Sequence, residues 1–166
     1  MAVLDTNSLS HYKIQTEGLH LGPYFLTLRT LDERGRPQTV ASLPGIANVG
    51  SSSTFEVRYE ASPRTRSELA VVASFASARA DVSNAQKSGM LVGRELATTL
   101  TDLLNAAQQA SYGADRRHER EEAFALKVFE EVVRFERGRH LHGVAPTVLT
   151  NDVESLERQA HRGEED

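Results

Sequence analysis

The feature that most constrains the fold of this 166-residue chain is the segment from Phe124 to Arg139, FALKVFEEVVRFERGR. Wound as a helix at about 100° per residue, it places its large apolar side chains on an arc of about half of the circumference. Glu131 and Arg134 lie at the edge of that arc and, being three residues apart, are neighbours on the helix surface. Such a pair either lines the lip of a cleft or is an ordinary surface ion pair.

Length and composition fit one folded domain with an aliphatic core. Hydrophobic residues make up 39% of the chain and charged residues 25%, whereas tryptophan is absent and only 6% of residues are aromatic. Because the chain has no cysteine, it has no disulfide, no thiolate nucleophile and no Cys-ligated zinc. We expect residues 1–150 to form a single domain, and residues 151–166 to form a weak helix with an acidic frayed tail.

The net charge of -4 comes from the acidic residues after position 150, and the rest of the chain is electrically balanced. The sequence therefore lacks the overall excess of basic residues that typically binds a phosphate backbone. RNA affinity would depend on local clusters such as Arg134, Arg137 and Arg139 with His140 and His142. It has neither the pattern of a secretory leader nor an apolar run long enough to span a membrane. We expect a soluble, cytoplasmic chain with no membrane partner.

The first half of the sequence predicts strands and turns. We expect a short helix after Pro23, although periodicity alone leaves a strand open there, and then short extended pieces separated by Pro44-Gly45 and other turns. Residues 55–60 alternate apolar and charged side chains, which is typical of a strand with one solvent-exposed face. Residues 69–78 are apolar enough for a central strand, and Ser62-Pro63 lies in the break between the two.

The second half predicts helices. A Leu-rich helix over residues 93–109 ends near Gly113, and the Phe124 helix ends at Gly138. A short strand over residues 146–149 and the weak helix over residues 152–159 would follow. The fold class is therefore α+β, with a small mixed β-sheet in the N-terminal half and a helical C-terminal half. We expect the Leu-rich helix to pack against Phe124, Val128 and Val132.

Other sequence features give no recognised site. His140 and His142 are two residues apart but have none of the surrounding ligands of a zinc pattern. The glycines of the segment over residues 89–94 lack the spacing of a phosphate-binding loop. Ser51-Ser52-Ser53 lacks the glycines of a nucleophile elbow. The sequence therefore indicates no metal and no cofactor.

The segment Glu131-Val132-Val133-Arg134-Phe135, after an apolar run, has the form E-x-x-R-F. At this point the chain resembles the ribosome-inactivating proteins, the rRNA N-glycosylases that include the ricin A chain and the cereal-seed toxins. The order of other features is similar, namely Leu28-Arg29, Leu43-Pro44, two strands, a helix opened by Gly93-Arg94, and a downstream His142-Gly143-Val144. The resemblance covers residues 23 to 160, loosely before Gly93, in a shortened and divergent form.

The resemblance implies a single-chain toxin of plant defence, a hydrolase that removes an adenine from ribosomal RNA and so inhibits translation. Arg134 would protonate or polarise the leaving adenine, and Glu131 would stabilise the oxocarbenium-like sugar and help to activate water. The partner would be the ribosome or its RNA, and the protein would be a monomer without a cofactor or metal.

The resemblance also implies aromatic walls around the adenine, which the family builds from two tyrosines. Phe75, or Arg79 in another register, matches the first tyrosine, and Tyr112 is a second candidate wall. Leu156 lies closest to the position of the family's tryptophan. An aromatic wall of Phe75 or Tyr112 over the Glu131/Arg134 pair would favour an enzyme.

Two alternatives stay open at the level of sequence. One is a catalytically silent remnant of the family that binds RNA or a protein through the Arg134 to His142 surface. A pair that is open to solvent, or closed by Leu156, would favour this alternative. The other is an unrelated helical interaction domain in which E-x-x-R-F occurs by chance.

Overall fold

The computed structural model describes residues 10–31, 34–59, 67–113 and 115–162. The break at Ser62-Pro63 and the acidic end after residue 162 lie outside these residues. In the described part of the chain, strands occupy the N-terminal half and helices the C-terminal half, so the α+β prediction is confirmed. The elements are β1 (Ser10–Glu17), β2 (Gly22–Leu31), β3 (Pro37–Ala47), β4 (Ser52–Tyr59), β5 (Glu68–Val71), α1 (Phe75–Lys87), α2 (Arg94–Ser111), α3 (Arg116–Glu136) and α4 (Ala145–Arg162).

The described strands form two small antiparallel sheets, so the prediction of one small mixed sheet is wrong in its strand directions and in the number of sheets. One has the order β1-β4-β5, and the other is the β2-β3 hairpin. Phe55, Val57 and Leu69 of the first sheet are buried, and apolar side chains of the hairpin pack against them. The two sheets therefore share an apolar core, as faces of opposed sheets do. The prediction of a strand over residues 55–60 is confirmed by β4.

The segment after Pro23 is a strand, so the prediction of a short helix there is wrong. Along β2, half-buried and exposed residues alternate, because successive side chains point to opposite faces of the hairpin. Pro44-Gly45 lies inside β3 instead of forming a turn. Gly45 is paired with Tyr24, and the Tyr24 ring lies over the glycine, so any larger residue at position 45 would displace that ring.

The predicted central strand over residues 69–78 is wrong in its length and its position. β5 ends at Val71 and lies at the edge of its sheet, and α1 begins at Phe75. Ser74 caps α1, since its hydroxyl accepts a hydrogen bond from the Ser77 backbone N–H at 3.1 Å while the Ser77 hydroxyl accepts one from the Ser74 N–H at 2.8 Å. This reciprocal cap favours a helix start over continuation of the strand.

The Leu-rich helix is confirmed by α2, which packs on α1 and α3. Its buried face includes Leu100 and Leu104. The part of the prediction that placed Phe124 in the core is wrong, because Phe124 is 70% exposed. Val132 packs on the core only in part. The buried side chains of α3 are Ala125, Leu126, Phe129 and Val133.

Residues 145–162 form one helix, α4, where the sequence predicted a short strand and a separate weak helix. Pro146 lies in its first turn, where a missing backbone N–H costs no intrahelical hydrogen bond. The helix runs across residue 150 without a break. Its core side chains are Ala145, Val148, Leu149, Val153 and Leu156.

Candidate functional site

Glu131 and Arg134 lie on the outer side of α3 and form an ion pair with each other. The Glu131 side chain is 49% exposed and that of Arg134 is 72% exposed. Both residues are therefore open to solvent, as in a surface (i, i+3) pair. An exposed pair of this kind adds little to stability, because solvent screens the attraction between the charges.

The surface beside this pair comes from a single helix. All the residues that line it belong to α3, and we call them the α3 strip: Phe124, Lys127, Val128, Glu131, Val132, Phe135 and Glu136. Phe124 and Phe135 are 70% and 63% exposed. The α3 strip is thus a helix face with exposed aromatic ends, and no other described element covers it to make a cleft.

The side chains that sequence reasoning assigned to an adenine pocket are dispersed. Phe75 begins α1 and lines a different groove, which has a volume of about 990 Å³. Tyr112 follows α2, is 77% exposed, and its hydroxyl accepts a hydrogen bond from Gln108 Nε2 at 2.8 Å. Leu156 is buried and lines the same groove as Phe75. None of these three residues lines the α3 strip.

The groove beside Phe75 lies between the start of α1, the ends of α2 and α4, and one side of α3. It contains several carboxylates, among them Glu119, Glu122 and Glu130, together with Lys127. Burial raises the pKa of Glu122 above its usual value. Arg79, the alternative to Phe75, donates hydrogen bonds to Asn105 Oδ1 at 3.2 Å and Gln108 Oε1 at 2.7 Å. These amide contacts assign Arg79 to α1–α2 packing.

The basic and histidine residues after α3 pack against the end of that helix. The Arg139 guanidinium lies 4.4 Å from the centre of the Phe135 ring, and the His140 Nδ1 lies 2.6 Å from Glu136 Oε2. Among the described residues, no three His, Cys, Asp or Glu side chains are grouped so that they could hold a metal ion. No helix in the same residues has the length and apolar character needed to cross a membrane.

An acidic pair lies between α1 and α4, with Asp152 buried and Asp81 half-buried, and sequence reasoning missed it. Burial raises the pKa of Asp81 to about 6, although interactions with Asp152 and Asn84 lower it. Burial, and then the charge of Asp81, raise the pKa of Asp152 well above its usual value. No sequence motif indicates such a pair, because the two residues are distant in the chain and meet only when the helices pack.

No protein-family model matches the chain, and no curated protein matches it significantly. The resemblance to ribosome-inactivating proteins therefore stays a prediction from the sequence.

Proposed function

We propose that this protein is a non-catalytic interaction module that binds another protein through the α3 strip. The observation that carries the proposal is the solvent exposure of Glu131 and Arg134 on a one-helix face with exposed Phe124 and Phe135 at its ends. Exposed aromatic side chains on a regular helix are typical anchors of helix-mediated protein recognition. This geometry supports binding better than it supports adenine excision.

An N-glycosylase would need features that the α3 strip does not supply. A flipped adenine is held by stacking on aromatic or apolar walls in an enclosed pocket, where oxyanion or oxocarbenium charge is stabilised away from water. Around Glu131, the described aromatic side chains are the two phenylalanines of the same helix. Side chains of one helix point outward from it and cannot enclose a base on both faces.

The chemistry of the α3 strip favours a protein over RNA. Its basic residue Lys127 is accompanied by Glu131 and Glu136, and Arg134 is already paired with Glu131. RNA binding relies on a surplus of positive charge along the phosphate backbone, and this face has none. Apolar side chains with charges of both signs at the rim are the usual composition of a protein interface.

The first test is adenine release from purified ribosomes, with the parent chain compared with Glu131→Ala and Arg134→Ala at equal folded concentration. We expect none of the three proteins to release adenine above the background without protein. Release by the parent that falls by orders of magnitude in both variants would overturn the proposal and establish the N-glycosylase. Circular dichroism of each variant checks that the helices are intact.

The positive test is site-specific photo-crosslinking, with p-benzoylphenylalanine replacing Phe124 in one protein and Tyr112 in another. Both positions are exposed aromatic residues, but only Phe124 belongs to the α3 strip. We expect protein adducts from position 124 in an extract of the source cells, lost when Phe135→Ser is added, and none from position 112. Equal adducts from both positions, or none from 124, would contradict a docking role for the α3 strip.

A further inference from the structure

We propose that the groove beside Phe75, which we call the Phe75 groove, binds an extended peptide segment of a partner protein in which two basic residues flank an apolar one at alternate positions. The groove and the α3 strip lie on different sides of α3 and have only Lys127 in common. This second binding site therefore does not depend on the function proposed for the α3 strip.

The Phe75 groove has an apolar floor that three helices build together. Phe75 comes from the start of α1, Leu126 from the middle of α3, and Leu156 from α4. The floor is continuous with the helical core, because Leu126 is 1% exposed and Leu156 is 4% exposed. The groove has a volume of about 990 Å³, near the upper end of the range for ligand sites, so a segment of several residues fits into it.

Carboxylates without partners stand along the α3 side of the Phe75 groove. Within the described parts of the chain, Glu119, Glu122 and Glu130 have no ion-pair or hydrogen-bond partner for their side chains. Glu157 of α4 adds a fourth carboxylate, and Lys127 is the one basic side chain among the described residues that line the groove. Burial raises the pKa of Glu122, and no neighbouring cation offsets this effect. The complementary group in a ligand is therefore a cation.

The spacing of the residues along α3 defines the pattern of the ligand. Glu122, Leu126 and Glu130 follow one another at intervals of four residues, so they form one ridge of the helix surface. At 1.5 Å per residue, the backbones of the two glutamates are about 12 Å apart along the axis, with Leu126 halfway between them. In an extended peptide, residues i, i+2 and i+4 point to the same face and span about 13 Å. Basic residues at i and i+4 therefore meet the two carboxylates while an apolar residue at i+2 covers Leu126.

The combination of charge and apolar surface selects a peptide over other ligands. A nucleic acid would bring phosphates against unpaired carboxylates, and like charges across an interface oppose association. A small polar dication would pair with the carboxylates but would leave the apolar floor in contact with water. A peptide does both, since its apolar residue covers the floor and the aliphatic stems of lysine or arginine cover the surface beside it.

The test is fluorescence anisotropy of a fluorescein-labelled peptide, Gly-Lys-Ser-Leu-Ser-Lys-Gly, titrated with the full chain to about 1 mM. About 0.15 M salt screens exposed charges more than about 8 Å apart, which suppresses unspecific attraction. The shuffled peptide Gly-Lys-Lys-Ser-Ser-Leu-Gly has the same charge without the spacing. The variants are Glu122→Gln, Glu130→Gln and Lys127→Gln, and Glu95→Gln, at an exposed glutamate near the start of α2, is the matched control. Circular dichroism confirms that each variant folds.

We expect the parent to bind the patterned peptide with a dissociation constant on the order of 100 μM. Glu122→Gln and Glu130→Gln should each weaken binding by about fivefold or more, because each removes one of the two paired charges. Lys127→Gln should tighten it by about twofold or more, because the variant loses the one repelling cation, and Glu95→Gln should match the parent.

Three results would each overturn the proposal. They are a parent that does not bind the patterned peptide at the highest concentration, equal binding of the shuffled peptide, and parent-like binding by both Glu122→Gln and Glu130→Gln. Photo-crosslinking from position 124 tests the α3 strip separately, so either binding site can fail while the other stands.

Discussion

The carboxyl pair between α1 and α4 makes the free energy of unfolding depend on pH. Burial is the main reason that the pKa values of Asp81 and Asp152 lie above 3.8, their ordinary value. In the unfolded chain both groups regain ordinary pKa values, so the folded protein holds more protons at intermediate pH. The free energy of unfolding is therefore greatest below about pH 4 for this pair and falls as the pH rises through about 6.

Asp152→Asn should remove the part of this pH-dependent cost that comes from Asp152, because an amide stays neutral and can still donate a hydrogen bond to the Asp81 carboxylate. We expect the variant to be more stable than the parent at pH 8, where the buried carboxylate would be forced to ionise, and nearly equal to it at pH 4. Urea unfolding at both pH values measures the difference. The control Asp102→Asn, at an exposed position on α2, should leave the free energy of unfolding unchanged at both pH values. An Asp152→Asn variant that is less stable than the parent at pH 8 would refute this account.

At the scale of elements, the helices and strands with strong periodicity could be predicted from the sequence. Those whose type is decided by tertiary contacts could not. The leucines of α2 repeat at helical spacing, and β4 alternates apolar and charged residues, so local pattern alone defines both. α1 is rich in alanine and serine and has a weaker amphipathic pattern, so only its serine cap distinguishes it from an extension of β5. β2 is too short an apolar run for periodicity to choose between helix and strand, and pairing with β3 decides it.

The candidate site could also be predicted only in part, because its surroundings depend on tertiary packing. The sequence correctly put Glu131 and Arg134 side by side at the border of an apolar arc. It could not indicate which part of that arc the other helices cover, because coverage depends on how α2 and α4 pack on α3. The core takes the side that contains Phe129 and Val133 and leaves Phe124 and Phe135 in solvent. An apolar arc wider than the packed face is itself the signal for a binding surface.

At the scale of the whole molecule, the sheets and the helices are joined by a few buried connections. Ile46 of β3 is 1% exposed and belongs to the helical core, and its carbonyl accepts a hydrogen bond from Asn84 Nδ2 at 3.4 Å. Just before α1, the Ala73 N–H donates to Ser155 Oγ at 2.9 Å and its carbonyl accepts from Gln159 Nε2 at 2.8 Å. These contacts tie β3 to α1, and Ala73 before α1 to α4, so we expect the described parts to unfold together.

Ile46→Ala tests whether sheets and helices unfold together, because it removes side-chain carbons that β3 contributes to the helical core. We expect it to lower the free energy of unfolding by about 2–4 kcal/mol, as large-to-small changes at fully buried sites do. In a Tyr112→Phe background, which removes the tyrosine that follows α2, near-UV tyrosine dichroism follows the strands that contain Tyr12 and Tyr24, whereas dichroism at far-UV wavelengths follows the helices. Both transitions should shift equally, while Val92→Ala, at a half-exposed aliphatic position, should shift neither. If the tyrosine transition shifted alone, the sheets would be a separately folding unit, and β3 would contribute nothing to the stability of the helices that present the α3 strip.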